Sequence, residues 1–254
     1  PMVKPKKHLG QHFLIDEHAA QRIVDAISFT EAAEILEVGP GTGVLTKYLI
    51  EKQINFRAYD VDEESVIFLK KHYPKQADQF LLKDFLQEPI IHPQTVILGN
   101  FPYNISSQLF FKIWDDRQHI GQVVCMVQKE VAERIAAKHG NKVYGILSVL
   151  LQAFYSIDYQ FTVPPEAFYP PPKVQSGVIR LTRNEVNQLP CDEKLLKQVV
   201  KMAFGKRRKT LRNALKELNL PDSFTSGELF NKRAEQLSVQ EFIQLTSDVE
   251  KWRP

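Results

Sequence analysis

The sequence predicts an α/β protein with a Rossmann-like sheet and a small all-helical C-terminal domain. The first observation is an apolar strand over 34–38 that leads into the glycine turn 39–43 and then into an amphipathic helix. Strand, glycine turn and helix form the first half of a Rossmann-like unit. The second observation is that strand patterns stop after residue 190, and apolar residues then recur only at helical spacing. We therefore place a domain boundary between residues 186 and 187.

Composition is that of an ordinary soluble globular protein, because the 254 residues are 43% hydrophobic and 25% charged, with a net charge of +3. Cys125 and Cys191 lie far apart, so a disulfide framework is not indicated and a reducing cytosol is expected. The longest mostly apolar stretch, 143–155, is too short to span a bilayer, so a membrane partner is not expected. Pro1 precedes Met2, which predicts Met2 as the native start.

A basic arm over 1–16, expected to be partly flexible, precedes the first helix. His8 and His12 have i,i+4 spacing, but Gly10 lies between them and an acidic or cysteine partner does not follow nearby. A metal site is therefore not predicted. Apolar residues on one helical face predict a helix over 17–28, capped by Asp16.

Two acidic residues close the next strands. Strand 56–61 ends at Asp60, 21 residues after Gly39, close to the ~20-residue spacing of a carboxylate that binds ribose hydroxyls. The dinucleotide fingerprint needs glycine where Val44 stands, so a nucleoside ligand without a pyrophosphate is favoured. A purely structural glycine turn is the alternative. Asp84 closes strand 80–83 in the same way, with a helix cap or a solvated loop acid as its alternative.

The strand 95–98 leads into Asn100-Phe101-Pro102-Tyr103. Pro102 lacks an N–H and disfavours the helical region for Phe101, so the chain leaves the sheet at the carboxyl end of the strand, where open α/β sheets bind ligands. The Asn100 amide oxygen and the Phe101 carbonyl are two acceptors beside the Tyr103 ring, which suits the exocyclic amine of a planar base. Taken alone, the tetrapeptide is equally typical of a strand-ending turn.

The rest of the first domain is predicted as helix 106–114, strand 123–127, helix 129–138, an apolar segment 141–155 that packs against the sheet, a last strand 174–181, and a linker 182–190. Segment 161–172 is rich in proline and aromatic residues, so we expect it to be stiff and largely without ladder hydrogen bonds. It can hold an aromatic ring at a fixed height over a pocket, or it can be a structural loop over the sheet edge.

The C-terminal domain carries seven basic residues and no acid between Lys201 and Lys216. Such runs are usually solvated surface. This density in an otherwise balanced chain favours contact with a phosphate backbone.

Together these motifs resemble the KsgA-type ribosomal RNA adenine N6-dimethyltransferases, whose relatives include the erythromycin-resistance ribosomal RNA methyltransferases. The residues that carry the resemblance are Gly10-Gln11-His12-Phe13-Leu14, Glu37-Val38-Gly39-Pro40-Gly41-Thr42-Gly43, Asn100-Phe101-Pro102-Tyr103, Phe168 through Ser176, and Phe204-Gly205-Lys206-Arg207-Arg208-Lys209-Thr210-Leu211-Arg212. They span nearly the whole chain in the expected order.

The resemblance implies a class I methyltransferase sheet over 1–186, with S-adenosylmethionine as methyl donor, and an RNA-binding domain over 187–254. Gln11, His12 and Leu14 would lie near the methionine end of the cofactor, Gly39 and Gly41 would line it, Asp60 would take the ribose hydroxyls, Asp84 would meet the adenine amine, and Asn100 would lie between donor and target. Lys206, Arg207, Arg208, Lys209 and Arg212 would bind RNA. The family usually has asparagine in place of His12 and leucine in place of Phe101.

The implied substrate is a pair of adjacent adenosines in the 3′-terminal hairpin loop of the 16S rRNA of the small ribosomal subunit, and a cytoplasmic monomer is expected. Asn100 Oδ1 and the Phe101 carbonyl, at the turn set by Pro102, would accept the N6 hydrogens and aim the nitrogen lone pair at the methyl group. Tyr103 and Phe168 would stack on the flipped base. Two alternatives stay open: a resistance-type enzyme acting on large-subunit rRNA, and a ribosome-assembly or nucleic-acid-binding factor whose methylation is incidental.

Overall fold

The structure, a computed structural model, describes residues 3–28 and 34–252 in two compact units. The sheet unit contains the described residues up to Glu133 together with Ser156–Arg183, and the helical unit contains Arg134–Tyr155 together with residues from Asn184 onward. Pro1 and Met2, on which the predicted start depends, lie outside the described residues. Among the helices of the described ranges, none has the length and apolar character needed to cross a membrane.

The strands are β1 (Phe13–Leu14), β2 (Ile35–Val38), β3 (Phe56–Asp60), β4 (Phe80–Leu82), β5 (Thr95–Asn100), β6 (Ile120–Gln128), β7 (Tyr155–Val163), β8 (Phe168–Tyr169) and β9 (Ser176–Arg183). The α-helices are α1 (Glu17–Asp25), α2 (Thr46–Glu51), α3 (Glu63–His72), α4 (Ser106–Asp115), α5 (Lys129–Ala136), α6 (Ile146–Gln152), α7 (Glu193–Gly205), α8 (Leu211–Ala214), α9 (Asp222–Thr225) and α10 (Val239–Trp252). Short 3-10 turns join several of them.

Seven strands form one sheet in the order β4-β3-β2-β5-β6-β9-β7. Pairing is parallel from β4 to β6, and β9 runs antiparallel to β6. The strand order reverses at β2, because β3 and β4 lie on one side of it and β5 and β6 on the other. Open α/β sheets bind ligands at the carboxyl ends of strands beside such a switch point. The predicted α/β sheet is confirmed, and the ends of β2, β3 and β5 meet at one edge.

Local sequence explains why these elements form where they do. The apolar run of β5 is buried, with Ile97 and Leu98 fully inaccessible, as expected for a central parallel strand. Helix α1 begins after Asp16, whose Oδ1 accepts a hydrogen bond from the Ala19 N–H at 3.1 Å, so the predicted cap is confirmed. Ile23, on the apolar face of α1, is fully buried in the core cluster of the sheet unit.

The proline-rich segment departs from its prediction. Its first residues belong to β7, and Phe168 and Tyr169 pair antiparallel with Leu14 and Phe13 as β8 and β1. A two-residue strand has too few positions to show alternation, so the sequence pattern could not predict it. It forms because it pairs with a partner that is distant in sequence. The last strand begins at Ser176 rather than Val174.

Segment 141–155 also differs from its prediction, because its α6 lies in the helical unit and packs with α7 and α10. Four of the five buried side chains of α6 are apolar, a composition that is compatible with either a sheet or a helical neighbour. The compact units divide the chain near the expected boundary, at 183/184, but they also place residues 134–155 with the C-terminal residues.

Candidate active site and nucleic-acid interface

A cleft opens at the carboxyl ends of β2, β3 and β5 in the sheet unit. It holds about 710 Å³ of space, counting the part open to solvent. Ten of the predicted site residues line it: Gln11, His12, Gly39, Gly41, Asp60, Asp84, Asn100, Phe101, Pro102 and Tyr103. The fold therefore brings together residues that are widely separated in sequence.

The glycine turn and Asp60 form one wall of the cleft. Gly39 and Gly41 have φ angles of +70° and +58°, a left-handed conformation that side chains disfavour. Asp60 Oδ2 accepts from the Gly41 N–H at 3.1 Å, and Oδ1 accepts from the Asp62 N–H at 2.9 Å. Burial raises the pKa of Asp60 to about 6 despite these two bonds. Each oxygen retains a lone pair for a further donor, such as a hydroxyl.

The side chain of Gln11 anchors the N-terminal arm. Its Nε2 donates to Asp62 Oδ2 at 3.0 Å, and its Oε1 accepts from the Lys6 N–H at 2.8 Å. Lys6 Nζ lies 2.9 Å from Asp62 Oδ2 and 2.7 Å from Glu64 Oε2. Although burial opposes it, hydrogen bonding from Gln11 and Lys6 lowers the pKa of Asp62. Gln11 therefore lines the cleft while its amide holds the arm against the start of α3.

Asn100 is oriented by the main chain of the arm. Its Nδ2 donates to the His12 carbonyl at 2.9 Å. A carbonyl can only accept, so the amide nitrogen must face His12 and Oδ1 remains the available acceptor. The Phe101 N–H donates to the Met126 carbonyl at 3.0 Å, and Pro102 has no N–H to continue the ladder. The two acceptors predicted from the sequence therefore lie at the end of β5.

The aromatic residue beside Tyr103 is His12. Their ring centroids are 5.4 Å apart with 29° between the planes. His12 Nδ1 lies 2.8 Å from the Pro170 carbonyl, which requires the proton on Nδ1. The Tyr103 hydroxyl hydrogen-bonds with Ser176 Oγ. Burial raises the pKa of Tyr103, so its phenol is neutral at ordinary pH. The His12 ring, itself held by the Pro170 carbonyl, thus packs against Tyr103.

Phe168 and Leu14, two further predicted site residues, lie in the core of the sheet unit. Each is 2% exposed, and their backbones pair across β8 and β1. The buried Phe168 ring offers no face to a base, which corrects its expected stacking role. Leu14 lines a smaller cavity beside the cleft, together with Gly39 and Asn100. The sequence could not distinguish the two roles of Phe168, because an aromatic residue suits a buried core position as well as a stacking position.

Sequence reasoning missed the apolar walls of the cleft. Val61, Phe85 and Leu109 all line it, and Val61 is 50% exposed despite being apolar. Val61 directly follows Asp60, and Phe85 directly follows Asp84, whose Oδ1 accepts from the Leu86 N–H at 3.0 Å. For Val61 and Phe85, the sequence signal that could have identified them was an apolar residue directly after a strand-ending acid. These walls suit the faces of a planar ring.

Glu37 belongs to the quoted glycine-turn motif but was not predicted as a site residue, and it is buried next to that turn. It is 1% exposed, and its Oε1 accepts from Thr46 Oγ1 at 2.5 Å. Burial, with the nearby Asp60 carboxylate, raises the pKa of Glu37 to about 8. Glu37 is therefore mostly protonated at pH 7.

The centre of the basic run, residues 206–209, lies in the turn between α7, which ends at Gly205, and α8, which begins at Leu211. Lys206, Arg208 and Lys209 are exposed there. The side chains of the other two predicted RNA-binding residues have partners within the fold. Arg207 donates to the carbonyls of Lys142, at 2.5 Å, and Tyr144, and Arg212 Nε donates to the Thr225 carbonyl at 3.0 Å. Arg207 is thus primarily a structural residue, since both ends of its guanidinium bind the chain itself.

The chain matches a family model described as ribosomal RNA adenine dimethylase over residues 2–251. A ribosomal RNA small subunit methyltransferase A from Flavobacterium johnsoniae is 55% identical over 252 residues, covering 98% of this chain and 97% of the relative. The protein of the same name from Cytophaga hutchinsonii is 55% identical over 250 residues, covering 96% and 97%.

Two solved structures share the fold. A dimethyladenosine transferase from Plasmodium falciparum has a TM-score of 0.80 and 25% identity, covering 94% of this chain and 98% of its own. The 23S rRNA methyltransferase ErmE has a TM-score of 0.68, with coverage of 92% and 99%, and its 20% identity supports likeness in fold alone.

Proposed function

The chain belongs to the ribosomal RNA adenine dimethylase family, and from that premise we propose that it methylates N6 of two adjacent adenosines in the 3′-terminal hairpin loop of 16S rRNA. The methyl donor is S-adenosylmethionine and the product is N6,N6-dimethyladenosine. The observation that carries the proposal is the Asn100 amide, whose bond to the His12 carbonyl leaves Oδ1 as an acceptor next to the Phe101 carbonyl. A ribosomal RNA substrate also favours a cytoplasmic enzyme, which we propose acts as a monomer.

The cleft residues fit the cofactor. Asp60 offers acceptors to ribose hydroxyls, and Asp84 offers one to an adenine amine, while Val61 and Phe85 provide apolar walls for the ring. Gly39 and Gly41 line this space without side chains, and their positive φ angles disfavour any other residue there. When bound, the cofactor supplies an electrophilic methyl group on a sulfonium.

The residues at the end of β5 prepare the nucleophile. The lone pair of adenine N6 is delocalised into the ring, which makes N6 a poor nucleophile. Asn100 Oδ1 and the Phe101 carbonyl can each accept one N6 hydrogen, which favours a pyramidal nitrogen and directs its lone pair toward the methyl group. Such catalysis depends on positioning and electrostatics, and a nucleophilic residue is not required.

Tyr103 supports the flipped base. The Tyr103 ring lines the cleft with the His12 ring stacked beside it, and Tyr103 is the aromatic surface that we assign to the base. A base–aromatic contact contributes about 1–3 kcal/mol. In the helical unit, exposed Lys206, Arg208 and Lys209 supply the charge for contacts with RNA phosphates.

The test is nucleoside mass analysis after incubation with S-adenosylmethionine and ribosomal subunits that lack the modification. We expect N6,N6-dimethyladenosine in small-subunit RNA. Its appearance only in large-subunit RNA would assign the enzyme to the resistance type. The absence of methylation in both subunits, with cofactor binding intact, would show that the proposed RNA substrate is incorrect.

A further inference from the structure

We propose that the RNA-binding surface of the helical unit is built from two chain segments, the turn 206–209 and the loop 138–142, which Arg207 and Glu235 hold together. We call this surface the basic face. The side chains proposed to contact RNA are Lys138, Lys142, Lys206, Arg208 and Lys209. The inference rests on the proposed RNA substrate and adds to it two lysines that are remote from the basic run in sequence.

The loop 138–142 has a defined conformation. The Asn141 N–H donates to the Lys138 carbonyl at 3.3 Å, and Asn141 Oδ1 accepts from the Val143 N–H at 3.0 Å. Gly140 has a φ of +87°, which permits the turn between them. Lys138 and Lys142 are exposed. The loop therefore presents two cations on an ordered backbone, which reduces the conformational entropy lost on binding.

Arg207 joins this loop to the basic turn. Its Nη1 donates to the Lys142 carbonyl at 2.5 Å and its Nη2 donates to the Tyr144 carbonyl. Glu235 contributes twice, because its carbonyl accepts from the Gly140 N–H at 2.6 Å and its carboxylate lies 3.7 Å from Arg207 Nη1. Only a planar guanidinium can donate in this forked way. Arg207 thus holds the turn 206–209 next to the loop 138–142.

The resulting charge arrangement suits a phosphate backbone. The five exposed cations lie on two segments joined through Arg207, while the Glu235 carboxylate is already paired with Arg207. Flexible cations at the surface bind phosphates without base-specific geometry, and each contact makes binding more dependent on salt. The chemistry recognised is therefore the sugar–phosphate backbone of RNA.

The first test removes the loop cations. We would measure the Kd for small ribosomal subunits lacking the dimethyladenosines, as a function of KCl concentration, for the double variant Lys138→Ala/Lys142→Ala. The matched control is Lys70→Ala/Lys71→Ala, which removes two exposed lysines from α3 of the sheet unit. We expect weaker binding and a log Kd–log salt slope smaller by about 1–2 in the loop variant, since each lost phosphate contact removes ~0.7–0.9. A slope equal to that of the control would overturn the proposal.

The second test breaks the connection while keeping the charge. Arg207→Lys should weaken binding as the loop variant does, and should speed hydrogen exchange at the Gly140 amide. Retained affinity and retained exchange protection would show that Arg207 does not hold the face together. Lys142→Ala keeps the main-chain carbonyl that Arg207 binds, so this variant tests the face even where Arg207→Lys lowers stability.

These outcomes separate the proposal from the function it rests on. If the wild-type protein methylates small subunits and the loop variant keeps the full salt slope, only the basic face is refuted. If the wild-type protein binds the particle with a salt slope that the loop variant reduces, yet does not methylate it, the basic face holds and the proposed reaction fails.

Discussion

The cleft and the basic face use polar side chains in opposite ways. In the cleft, each end of the Asn100 amide has an assigned direction, because Nδ2 is bound to the His12 carbonyl. Asp60 likewise accepts from two main-chain N–H groups. In the basic turn, the Lys206 and Lys209 side chains are exposed. The turn is held in place by Arg207, which donates to the Lys142 carbonyl.

This contrast reflects two chemical tasks. Methyl transfer requires atoms held at fixed positions, so cleft residues should not tolerate changes that keep charge or size but move an atom. Contact with a phosphate backbone requires charge, so residues of the basic face should tolerate changes that keep the charge. The following experiments test that difference, from the largest expected effect to the smallest.

The largest effect should come from Asn100. Asn100→Ala removes one of the two N6 acceptors, and we expect kcat to fall by about 100-fold or more, the cost of losing one positioned electrostatic partner. Asn100→Asp keeps an acceptor but cannot donate to the His12 carbonyl, so it should also be strongly impaired. Single-turnover methylation of small subunits measures both. The control is Asn55→Ala, which alters an exposed asparagine of the sheet unit. Near-normal activity of Asn100→Asp would show that the orientation of the amide is unimportant.

Alanine substitutions at two glycines, one beside the cleft and one beside the basic turn, should change the free energy of unfolding by different amounts. A Cβ at Gly99 would lie 2.6 Å from the Val38 carbonyl oxygen, whereas one at Gly205 would meet nothing within 4 Å. We expect Gly99→Ala to reduce the free energy of unfolding by about 1–3 kcal/mol, as overpacking does. Gly205→Ala, at the end of α7, should be neutral or stabilising by ~0.5–1 kcal/mol. Denaturant unfolding would measure both, and equal effects would contradict the difference in packing.

The buried carboxyl of Glu37 predicts a pH dependence of stability. Its pKa rises from 4.5 to about 8 on folding, so between these values the folded protein holds a proton that the unfolded chain has released. The stability contributed by the protonated Glu37 carboxyl is complete below pH 4.5 and is lost as the pH rises through 8. Glu37→Gln keeps an acceptor for Thr46 but does not titrate.

Between pH 6 and 8, the free energy of unfolding should therefore fall more steeply for the wild-type protein than for Glu37→Gln, by up to ~1.4 kcal/mol per pH unit. Denaturant unfolding at several pH values measures the slopes. The exposed Glu51→Gln variant serves as the control and should follow the wild-type protein. Parallel slopes for Glu37→Gln and the wild-type protein would mean that Glu37 is not protonated in the fold.

The smallest effect should come from Arg208. Arg208→Ala should weaken binding to small subunits several-fold and reduce the salt slope by about 1, as expected for one phosphate contact. Arg208→Lys keeps the charge and should bind within about twofold of the wild-type protein. A loss for Arg208→Lys as large as that for Arg208→Ala would indicate a fixed bidentate contact, and would remove the contrast with Asn100.

Local patterns were sufficient to predict much of the fold. The buried strands 35–38 and 95–100 and the cap at Asp16 follow from hydrophobic pattern and capping chemistry within a few residues. The same patterns placed Asp60 and Asn100 at strand ends on one edge of the sheet. They could not place segment 141–155, because its apolar side chains are compatible with either kind of neighbour.

The sequence alone determined the α/β fold, the strand ends that meet at the cleft, and the polar residues at those ends. Only the tertiary structure decided which partner each residue has. It orients Asn100 through the His12 carbonyl, buries Phe168 in the core, and turns Arg207 toward the loop at Lys142. The physical reason is range. Periodicity and turn chemistry act over a few residues, whereas these hydrogen bonds and contacts join segments that only the packed chain brings together.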